Sequence, residues 1–597
     1  MSGESGEVGP TTPPWRARLR SWWWLIPTIA VLFPLLRLWP LDGQFAPDWY
    51  NHRWLTAWSG EFLRQHGTTP VVINTAAQAG MPYPIFYGTL FYPLLSLLTT
   101  WLTAGVVIRA VVVAVTWLQF RLVSAALGTL EVPPWIARGI ACLSIWAIYP
   151  LTNLYNRAAL TEYVAVALLT SMIATFFLLI HARQPADRLR LGLGIGLLFA
   201  LTAGTHPTTA LYSLPILVML LVAAYAEQGR DPAFWRGLIK ALAIPVVLVV
   251  VVLAPWIYAL ANFQSDLRVT RDGGVWYYAG IDAWTTRFFP IPHDPRTSGV
   301  PISEVSSPFL DAQINVAMLV LLIGWLAILL WRHRAAGLAG LRAIALPLVA
   351  FAFFTWISLY PSAWHILPKF TKMLQIAYRA VSYQNLALLL AIFMLAAALR
   401  RRRERSLFES APLASRLLVG CLLLSGAGVV IKWNHASRIM ETKGLSGLRT
   451  TPSERRHTES LPKEFYGYNA YATPPRYTPV TDGERPGRVE AVIPIGRDED
   501  FGLPQPLKLT LQADAWVGTN VQAFPWNHLL LDGVVVPQDQ LRIDDIRLVL
   551  RVPAGDHTLV LDTVPDPVWE VLRPISFVAL ALWLVGFAVL TSRARRR

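Results

Sequence analysis

The chain alternates long apolar blocks with short clusters of arginine. The apolar blocks are about 17–25 residues long, which is the length that carries an α-helix across the hydrocarbon core of a bilayer. With 54% hydrophobic and 15% charged residues, the 597-residue chain is too apolar for a soluble protein of its size. The pattern therefore predicts a polytopic α-helical membrane protein.

We predict about twelve transmembrane helices, with both termini in the cytoplasm. That arrangement puts every arginine cluster on the same side of the membrane, as the positive-inside rule requires. The net charge of +15 therefore indicates which ends of the spans face the cytoplasm. It does not indicate nucleic-acid binding, because the sequence contains no basic nucleic-acid-binding motif. The predicted spans are residues 22–38, 103–126, 134–150, 160–181, 191–205, 208–226, 239–261, 313–331, 342–360, 381–399, 414–432 and 572–592.

One sizeable domain outside the membrane is predicted near the C-terminus. Residues 507–512 alternate apolar and polar side chains as a half-buried strand does, and Asp532-Gly533 is typical of a hairpin turn. Contact with carbohydrate, a lid and a plain packing module all remain open roles for this domain. The predicted division is a cytoplasmic tail (1–20), a membrane domain (21–432) with a long first outer loop (41–102), an extracytoplasmic β-sandwich-like domain (433–571), a last span (572–592) and a cytoplasmic tail (593–597).

The first outer loop is long, aromatic and internally helical, which favours a functional role over a simple connection. Pro47 suits the first position of a helix. Trp54, Trp58 and Phe62 then recur at four-residue spacing, which predicts an amphipathic helix to about His66, lying along the membrane interface. Residues 85–100 are apolar but contain glycine and proline, so we expect a half-inserted hairpin there.

Asp48 and His52 are the first candidate site residues. They are four residues apart and so share one helix face. At the membrane boundary Asp48 can act as general base on an acceptor hydroxyl, with His52 orienting it or binding phosphate. The alternative is an acid favoured by the helix macrodipole and an ordinary interfacial histidine.

Arg157 and Glu162 are charges at the edge of an apolar span, where a charge is paired, faces a cavity or is functional. Because they are five residues apart, they can meet only if the turn between them is irregular. Arg157 can hold a lipid phosphate, or the two can form a structural pair.

His206, Gln375 and Arg379 lie at other predicted span ends on the outer side. The guanidinium of Arg379 can hold a phosphate through two hydrogen bonds. A polar corner is the alternative reading for His206, and the pair Gln375 and Arg379 has the same standing.

Several other site classes find no support. The two cysteines, Cys142 and Cys421, lie inside apolar blocks and behave as small buried hydrophobes, and no metal site is predicted. Gly192, Gly194 and Gly196 lie inside a span with no preceding strand, so close helix packing explains them better than a nucleotide loop.

The chain resembles a known group of membrane enzymes. A first span, a long outer loop with an acid near its start, many further spans and an outward β-domain look like the GT-C superfamily of polyprenyl-phosphate-sugar-dependent glycosyltransferases. The chain more closely resembles the bacterial "6-pyruvoyl-tetrahydropterin-synthase-related" integral membrane proteins. The matching stretches are Asp48…His52, Gly80-x-Pro82-x-x-x-Phe86-Tyr87, Phe91-Tyr92-Pro93-Leu94, residues 155–162 (YNRAALTE), Thr205-His206-Pro207, residues 374–379 (LQIAYR), Phe524-Pro525-Trp526 with Asp532-Gly533, and residues 552–555 (VPAG).

The resemblance implies an inverting transfer of a sugar from a lipid phosphate to an outward-facing acceptor. Asp48 is then the base, and Arg157 and Arg379 are candidates for the donor phosphate, with Glu162, His206 and Gln375 beside them. The chain departs from the family at Tyr92-Pro93-Leu94, where a double proline is common, and at Ala377-Tyr378-Arg379, where Pro-Trp-Arg is common. No cofactor is predicted.

We therefore expect a glycosyltransferase of the cytoplasmic membrane that acts at its outer face. Its partners would be a polyprenyl-phosphate-sugar and a cell-envelope glycan, glycolipid or protein. A lipid or glycan transporter or flippase, and a non-catalytic envelope assembly protein, are the alternatives. Convergence of the candidate residues on one outward cavity favours the enzyme, and a cavity that reaches the bilayer midplane favours transport.

Overall fold

The computed structural model describes residues 25–38, 47–75, 78–157, 159–263, 312–360, 362–368, 371, 376–402, 412–442, 477–481, 488–496 and 499–596; within them, the side chains of residues 26, 47, 48, 50, 438–442 and 594–596 are not described. In chain order the helices are α1 (Leu25–Leu32), α2 (Pro47–His66), α3 (Tyr83–Phe86), α4 (Phe91–Thr99), α5 (Ala104–Thr129), α6 (Pro134–Ile145), α7 (Ile148–Tyr155), α8 (Leu160–His181), α9 (Pro185–Thr205), α10 (Pro207–Tyr212), α11 (Leu214–Gln228), α12 (Pro232–Phe263), α13 (Val316–Arg332), α14 (Arg334–Leu359), α15 (Ala363–Ile366), α16 (Val381–Arg401), α17 (Pro412–Thr442) and α18 (Pro567–Arg596). Short 3₁₀ helices cover Phe33–Leu38, Ala377–Ala380 and Gln538–Gln540.

The chain is a multi-pass membrane protein. Within the described ranges, eight helices are long and apolar enough to cross a membrane, namely α5, α8, α9, α12, α14, α16, α17 and α18. The pair α6 and α7 adds a ninth if it is one span bent by 42°. The predicted count of about twelve is not confirmed, because three predicted spans correspond to apolar helices of only 10–17 residues.

Several helices extend beyond the predicted span boundaries, and two of them show separate physical reasons. Helix α17 continues past residue 432 to Thr442, since the hydropathy pattern marks the edge of the apolar block and not the end of the helical hydrogen bonding. Helix α18 begins at Pro567, before residue 572. There the Asp566 carboxylate accepts hydrogen bonds from the backbone N–H groups of Val568 and Trp569, and Pro567 supplies a helical φ.

Close packing of helix α9 explains its three alternate glycines. A Cβ atom at Gly192 would lie 2.1 Å from the carbonyl oxygen of Ala241 in α12, and one at Gly196 would lie 2.7 Å from Pro245. A Cβ atom at Gly194 would meet the ring of Phe587 in α18 at 3.3 Å. The glycines therefore let α9 approach both α12 and α18, as close helix packing predicts.

The first loop contains the predicted helix α2 and two shorter helices. Helix α2 runs from Pro47 to His66, and Trp54, Trp58 and Phe62 on its apolar face are buried. Residues 85–100, where a half-inserted hairpin is expected, form the end of α3 and all of α4. Gly88, with φ +61°, separates these two helices, and a side chain there would collide with the ring of Tyr92.

The C-terminal domain is a sandwich of two sheets. Its strands are β1 (Thr478–Pro479), β2 (Val489–Ala491), β3 (Leu507–Leu511), β4 (Ala515–Gln522), β5 (Asn527–Leu531), β6 (Val534–Val535), β7 (Leu541–Asp544), β8 (Arg547–Val552) and β9 (Gly555–Thr563). One sheet has the order β1-β7-β8-β4-β2 and the other β3-β9-β5-β6. The predicted hairpin joins β5 to β6, with positive φ at Asp532 (+53°) and Gly533 (+80°), as a two-residue type I′ turn requires.

The first loop and the β-domain are joined by backbone hydrogen bonds. The Ala79 N–H donates to the Asn520 carbonyl at 2.8 Å, and the Gln522 N–H donates to the Ala79 carbonyl at 2.9 Å. The Asn527 side chain donates to the Gly80 carbonyl at 2.7 Å. Ala79 thus pairs with β4 beyond the point where β2 ends, on the same edge of that strand. Its side chain belongs to the core of the sandwich. This joint fixes the position of the first loop relative to the β-domain.

Candidate functional site

Arg157 and Glu162 meet across an irregular turn between α7 and α8. The backbone N–H groups of Asn156 and Arg157 both donate to the carbonyl of Thr152 at 2.9 Å, which ends α7 and turns the chain. Arg157 Nη1 then lies 2.9 Å from Glu162 Oε2, and the two residues are only 6% and 3% exposed. Glu162 lies in the first turn of α8, where the helix dipole favours a carboxylate.

Helix α7 supplies further donors to the same carboxylate. Tyr149, Asn153 and Arg157 follow one another at four-residue spacing, which places them on one side of α7 and its continuation. The Tyr149 hydroxyl donates to Glu162 Oε1 at 3.2 Å and the Asn153 amide at 3.0 Å. Asn153 also accepts a hydrogen bond from Arg157 Nη1 at 2.9 Å. The side chains of α7 therefore fix both partners of the ion pair.

A second guanidinium reaches Glu162 from the other side of the bundle. Arg379 lies in the 3₁₀ turn before α16, and its Nε is 3.5 Å from Glu162 Oε2. Ser382, one turn later, donates to Oε1 at 3.5 Å. Tyr378 lies under Arg157, whose Cζ is 5.3 Å from the centre of the tyrosine ring. Two arginines from distant parts of the chain thus converge on one buried carboxylate.

His206 lies beside this cluster, between α9 and α10. Its Nδ1 accepts from the Thr209 backbone N–H at 3.3 Å and is 2.8 Å from the Thr209 hydroxyl, so the proton of the neutral ring lies on Nε2. The imidazole is close enough to Glu162 for electrostatic interaction. The rings of Tyr87 and His206 meet edge to face with 5.8 Å between their centres, and the Tyr87 hydroxyl hydrogen-bonds to the Thr161 hydroxyl. Tyr87 therefore connects the first loop to this cluster.

His52 is held inside the first loop. Its Nδ1 is 2.7 Å from the hydroxyl of Tyr92, which is 3.4 Å from the hydroxyl of Tyr83. His52 and Tyr92 are 3% and 4% exposed. Asp48 lies on the same helix, but its side chain is outside the described part of the structure, and so is the whole of Gln375.

The structure therefore brings Arg157, Glu162, His206 and Arg379 together, whereas the catalytic and binding roles assigned to them stay predictions. Among the residues that the structure describes, no group of three or more His, Cys, Asp and Glu side chains could hold a metal ion.

Sequence reasoning missed several members of this region. Tyr149, Asn153, Tyr378 and Ser382 contact the ion pair. Lys432 of α17 is 1% exposed, and its Nζ is 3.5 Å from Asn156 Oδ1 on the same turn. The charge of Lys432 at the end of an apolar block was a signal for it. The four-residue spacing of Tyr149, Asn153 and Arg157 was a signal for Tyr149 and Asn153, whereas no sequence pattern indicated Tyr378 or Ser382.

Comparisons with known proteins add little to this geometry. No family model matches the chain, and no curated protein matches it. A cryo-EM structure of the arabinofuranosyltransferase AftD from Mycobacteria aligns with 92% of the chain at 14% sequence identity and a TM-score of 0.39. The chain spans 40% of the length of that protein. A TM-score this low does not establish a shared fold, and membership of the families that the sequence resembles is not shown.

Proposed function

We propose that the protein is a membrane glycosyltransferase. It transfers a sugar from a polyprenyl-phosphate donor to a cell-envelope glycan, glycolipid or protein at the outer face of the cytoplasmic membrane. The observation that carries this proposal is the convergence of Arg157 and Arg379 on Glu162, buried at the ends of the spans and beneath the first loop. A pair of buried arginines at the ends of membrane spans is suited to binding a lipid phosphate.

The arrangement leaves Arg157 with donors for a ligand. Its three side-chain hydrogen bonds in the described part of the structure all come from Nη1, to Tyr149, Asn153 and Glu162. The edge formed by Nε and Nη2 is the part of a guanidinium that holds a phosphate through two parallel hydrogen bonds. Glu162 thus acts as a positioning residue, because it fixes the arginine without occupying that edge.

The donor phosphate is the leaving group of the proposed reaction. The acceptor hydroxyl oxygen attacks the anomeric carbon and forms the new glycosidic bond. The bond from that carbon to the phosphate oxygen breaks with inversion, and the lipid phosphate departs with the electron pair. Prearranged guanidinium groups in a site of low dielectric stabilise the charge that develops on the phosphate.

Asp48 takes the proton of the acceptor hydroxyl in this proposal. It lies one helical turn before His52 on α2, in the loop that also supplies Tyr87 to the arginine cluster. His52, fixed by its hydrogen bond with Tyr92, orients the carboxylate or contacts the donor phosphate. Gln375 and His206 complete the donor side.

The deciding experiment is transfer of radiolabelled sugar from polyprenyl-phosphate donors by the purified protein in lipid. Wild type is compared with Asp48→Asn and Arg157→Lys. We expect Asp48→Asn, which removes the base, to lower the rate by about 10²–10⁴-fold. Arg157→Lys should lose most of its affinity for the donor, because lysine keeps the charge but cannot make the two parallel hydrogen bonds of a guanidinium. The matched control is Arg64→Gln, an arginine of α2 that is 59% exposed and paired with Glu61.

Each alternative function has its own outcome in the same experiment. Equal rates for wild type and Asp48→Asn would remove Asp48 but keep the enzyme. Transfer by no variant, across a broad panel of donors and acceptors, would overturn the proposal in favour of a transporter or a non-catalytic assembly protein. Transport also needs a passage, and the described cavity in the middle of the bundle, lined by Gln119, Thr170 and Asn315, is about 30 Å³. That volume holds water but not a sugar.

A further inference from the structure

A second polar region lies where α12 and α18 meet the first loop. It is a cavity of about 40 Å³, lined by Trp256 of α12, by Trp569 and Arg573 of α18, and by loop residues that include Thr89 and Pro93. None of the residues named for the arginine cluster lines it. The volume accommodates a group the size of a few water molecules, such as a phosphate.

Two hydrogen-bond donors of the residues that line this cavity lack acceptors in the described part of the structure. The indole N–H groups of Trp256 and Trp569 are buried, and neither finds an acceptor among the described residues. Trp569 is only 5% exposed, so its unpaired N–H carries a desolvation cost. Such a cost is recovered when a ligand brings an acceptor.

Arg573 adds a positive charge at the same place. Its Nη2 donates to the carbonyl and the hydroxyl of Thr69 and, at 3.4 Å, to the carbonyl of Pro70. These are its side-chain hydrogen bonds within the described ranges, and they hold the first loop against α18. The guanidinium lies 5.3 Å from the ring of Trp569.

The chemistry of the lining selects an anion. Indole and guanidinium groups donate hydrogen bonds and accept none. The described lining contains no aspartate or glutamate that could neutralise Arg573. The Ser576 hydroxyl also donates, to the carbonyl of Val252. A phosphate oxygen satisfies indole and guanidinium donors together, and its charge compensates the arginine.

The rest of the lining is apolar, which identifies the class of ligand. Ile85, Leu90, Val252 and Phe577 complete the wall. Trp569 and Arg573 lie in the first turns of the α18 span, and Trp256 lies near the end of the α12 span. Tryptophan and arginine at span ends are at the level of lipid headgroups.

We propose that this cavity binds the phosphate group of a membrane lipid, with the acyl or prenyl chain along the apolar wall. The inference does not depend on the transferase proposal, since it concerns different residues and a binding step alone. The phosphate has two possible sources, a bulk phospholipid and a polyprenyl phosphate.

Native mass spectrometry of the delipidated full chain in neutral detergent tests the proposal. The probes are phosphatidylglycerol, a polyprenyl monophosphate and, as the phosphate-free comparison, diacylglycerol. The variants are Arg573→Gln and Trp569→Phe, and the second keeps the ring while it removes the N–H. The matched control is Trp583→Phe, also on α18, because Trp583 is 4% exposed and its N–H likewise lacks an acceptor, yet it does not line the cavity.

We expect wild type to bind one more phosphate-bearing lipid than Arg573→Gln does at the same lipid concentration. The affinity of wild type for that lipid should be about tenfold higher or more than the affinity of the variant. Trp569→Phe should bind it more weakly than Trp583→Phe, and diacylglycerol should bind wild type and variants alike. Preference for the polyprenyl phosphate would identify a polyprenyl phosphate as the ligand, and preference for phosphatidylglycerol would identify a bulk phospholipid. Equal binding of both would mean that the cavity recognises the phosphate and not the chain. Equal phosphate-lipid binding by Trp569→Phe, Trp583→Phe and wild type would overturn the proposal, even if Arg573→Gln failed to fold.

Discussion

The two polar regions that border the first loop are built in opposite ways. Around Glu162, the protein supplies a counter-charge: one carboxylate lies within 3.5 Å of both Arg157 and Arg379 and accepts hydrogen bonds from Tyr149 and Asn153. In the cavity between α12 and α18, the indole N–H groups and Arg573 face no acid from the lining. The loop segment of α3 and α4 contacts both regions, through Tyr87 in one and Leu90 in the other.

The two regions differ in whether the protein itself supplies a counter-charge to its arginines. The Glu162 cluster carries its own counter-charge, so its arginines keep their positions before any ligand arrives, which is what catalysis on a phosphate requires. The α12–α18 cavity holds a cation, Arg573, that no acid of the described lining compensates. The first region is therefore expected to respond strongly to mutation within the protein, and the second to respond mainly to what is bound.

The largest effect expected from this comparison is that of Glu162→Gln. The substitution leaves two buried guanidinium groups beside a neutral amide, which should lower the free energy of unfolding by about 3–5 kcal/mol. Arg573→Gln removes a charge without leaving an opposite one behind, so we expect a loss of only about 1–3 kcal/mol from its loop contacts. Denaturant unfolding of the purified variants in one detergent measures both values.

The exposed pair of Arg64 and Glu61 provides the control for that measurement. Glu61→Gln removes a surface ion pair and should cost less than about 1 kcal/mol. The double variant Glu162→Gln with Arg157→Gln should lose less than the sum of the two single variants, because it removes one of the orphaned charges. A greater loss in Arg573→Gln than in Glu162→Gln would reverse the comparison.

A smaller effect is expected at the joint that holds the loop between the two regions. Gly80 has φ +71°, and a Cβ atom there would lie 2.2 Å from the Asn527 side chain. Gly67 has φ +68°, but its Cβ would meet nothing within 4 Å. Both alanine substitutions incur backbone strain of about 1–2 kcal/mol, whereas only Gly80→Ala should also release the β-domain from the loop.

Limited proteolysis distinguishes these two glycine variants. Proteolytic cleavage of the first loop and of the β-domain, the two segments that the joint holds together, should accelerate in Gly80→Ala. It should stay near the wild-type rate in Gly67→Ala. Similar protection in both would mean that the Asn527 contact does not hold the loop, so that the two polar regions are positioned by the helices alone.

The smallest effect concerns an exposed ion pair in the β-domain. It is a reference for the buried charges of the two polar regions. The hydrogen bond between His557 Nδ1 and Asp532, 2.7 Å long, raises the pKa of His557 and lowers the pKa of Asp532. The histidine contribution to stability is complete below its ordinary pKa of about 6.5 and is lost as the pH rises through the raised pKa. The aspartate contribution is complete above about 3.9 and is lost as the pH falls through the lowered pKa.

Histidine side-chain NMR of the labelled full chain measures this pair. In Asp532→Asn the pKa of His557 should return towards its ordinary value, whereas Asp539→Asn, on the same domain, should leave it unchanged. A His557 pKa that is identical in wild type and Asp532→Asn would show that the pair does not form in solution.

Local patterns predicted much of the fold. The four-residue aromatic repeat located α2 from Pro47 to His66, and alternation located β3, because both patterns record which face of one element is buried. The span count could not be obtained in the same way. Helices α11 and α13 are apolar but short, and hydropathy does not determine whether a short helix crosses, bends or lies within the bundle.

The candidate site was predictable only in part, for a related reason. Charges in apolar surroundings identified Arg157 and Glu162, since such charges are costly wherever the chain folds. Tyr378 and Ser382 are ordinary residues in the sequence, and only the long-range packing of α16 against α7 and α8 brings them to the ion pair. The donors of the α12–α18 cavity likewise come from distant parts of the chain, since Trp256 lies in α12 and Trp569 lies in α18.

The joint between Gly80 and Asn527 also has a consequence for biosynthesis. Its two partners are 447 residues apart in the chain. At a translation rate of about 5–20 residues per second, the nascent loop waits roughly 20–90 s for the strand that completes it. During that interval the backbone groups of Ala79 and Gly80 have no partner from the β-domain while the intervening spans are inserted. Ribosome stalling before the β-domain would therefore leave a membrane-inserted product whose loop is unfinished, and that loop is where cellular quality control can recognise it.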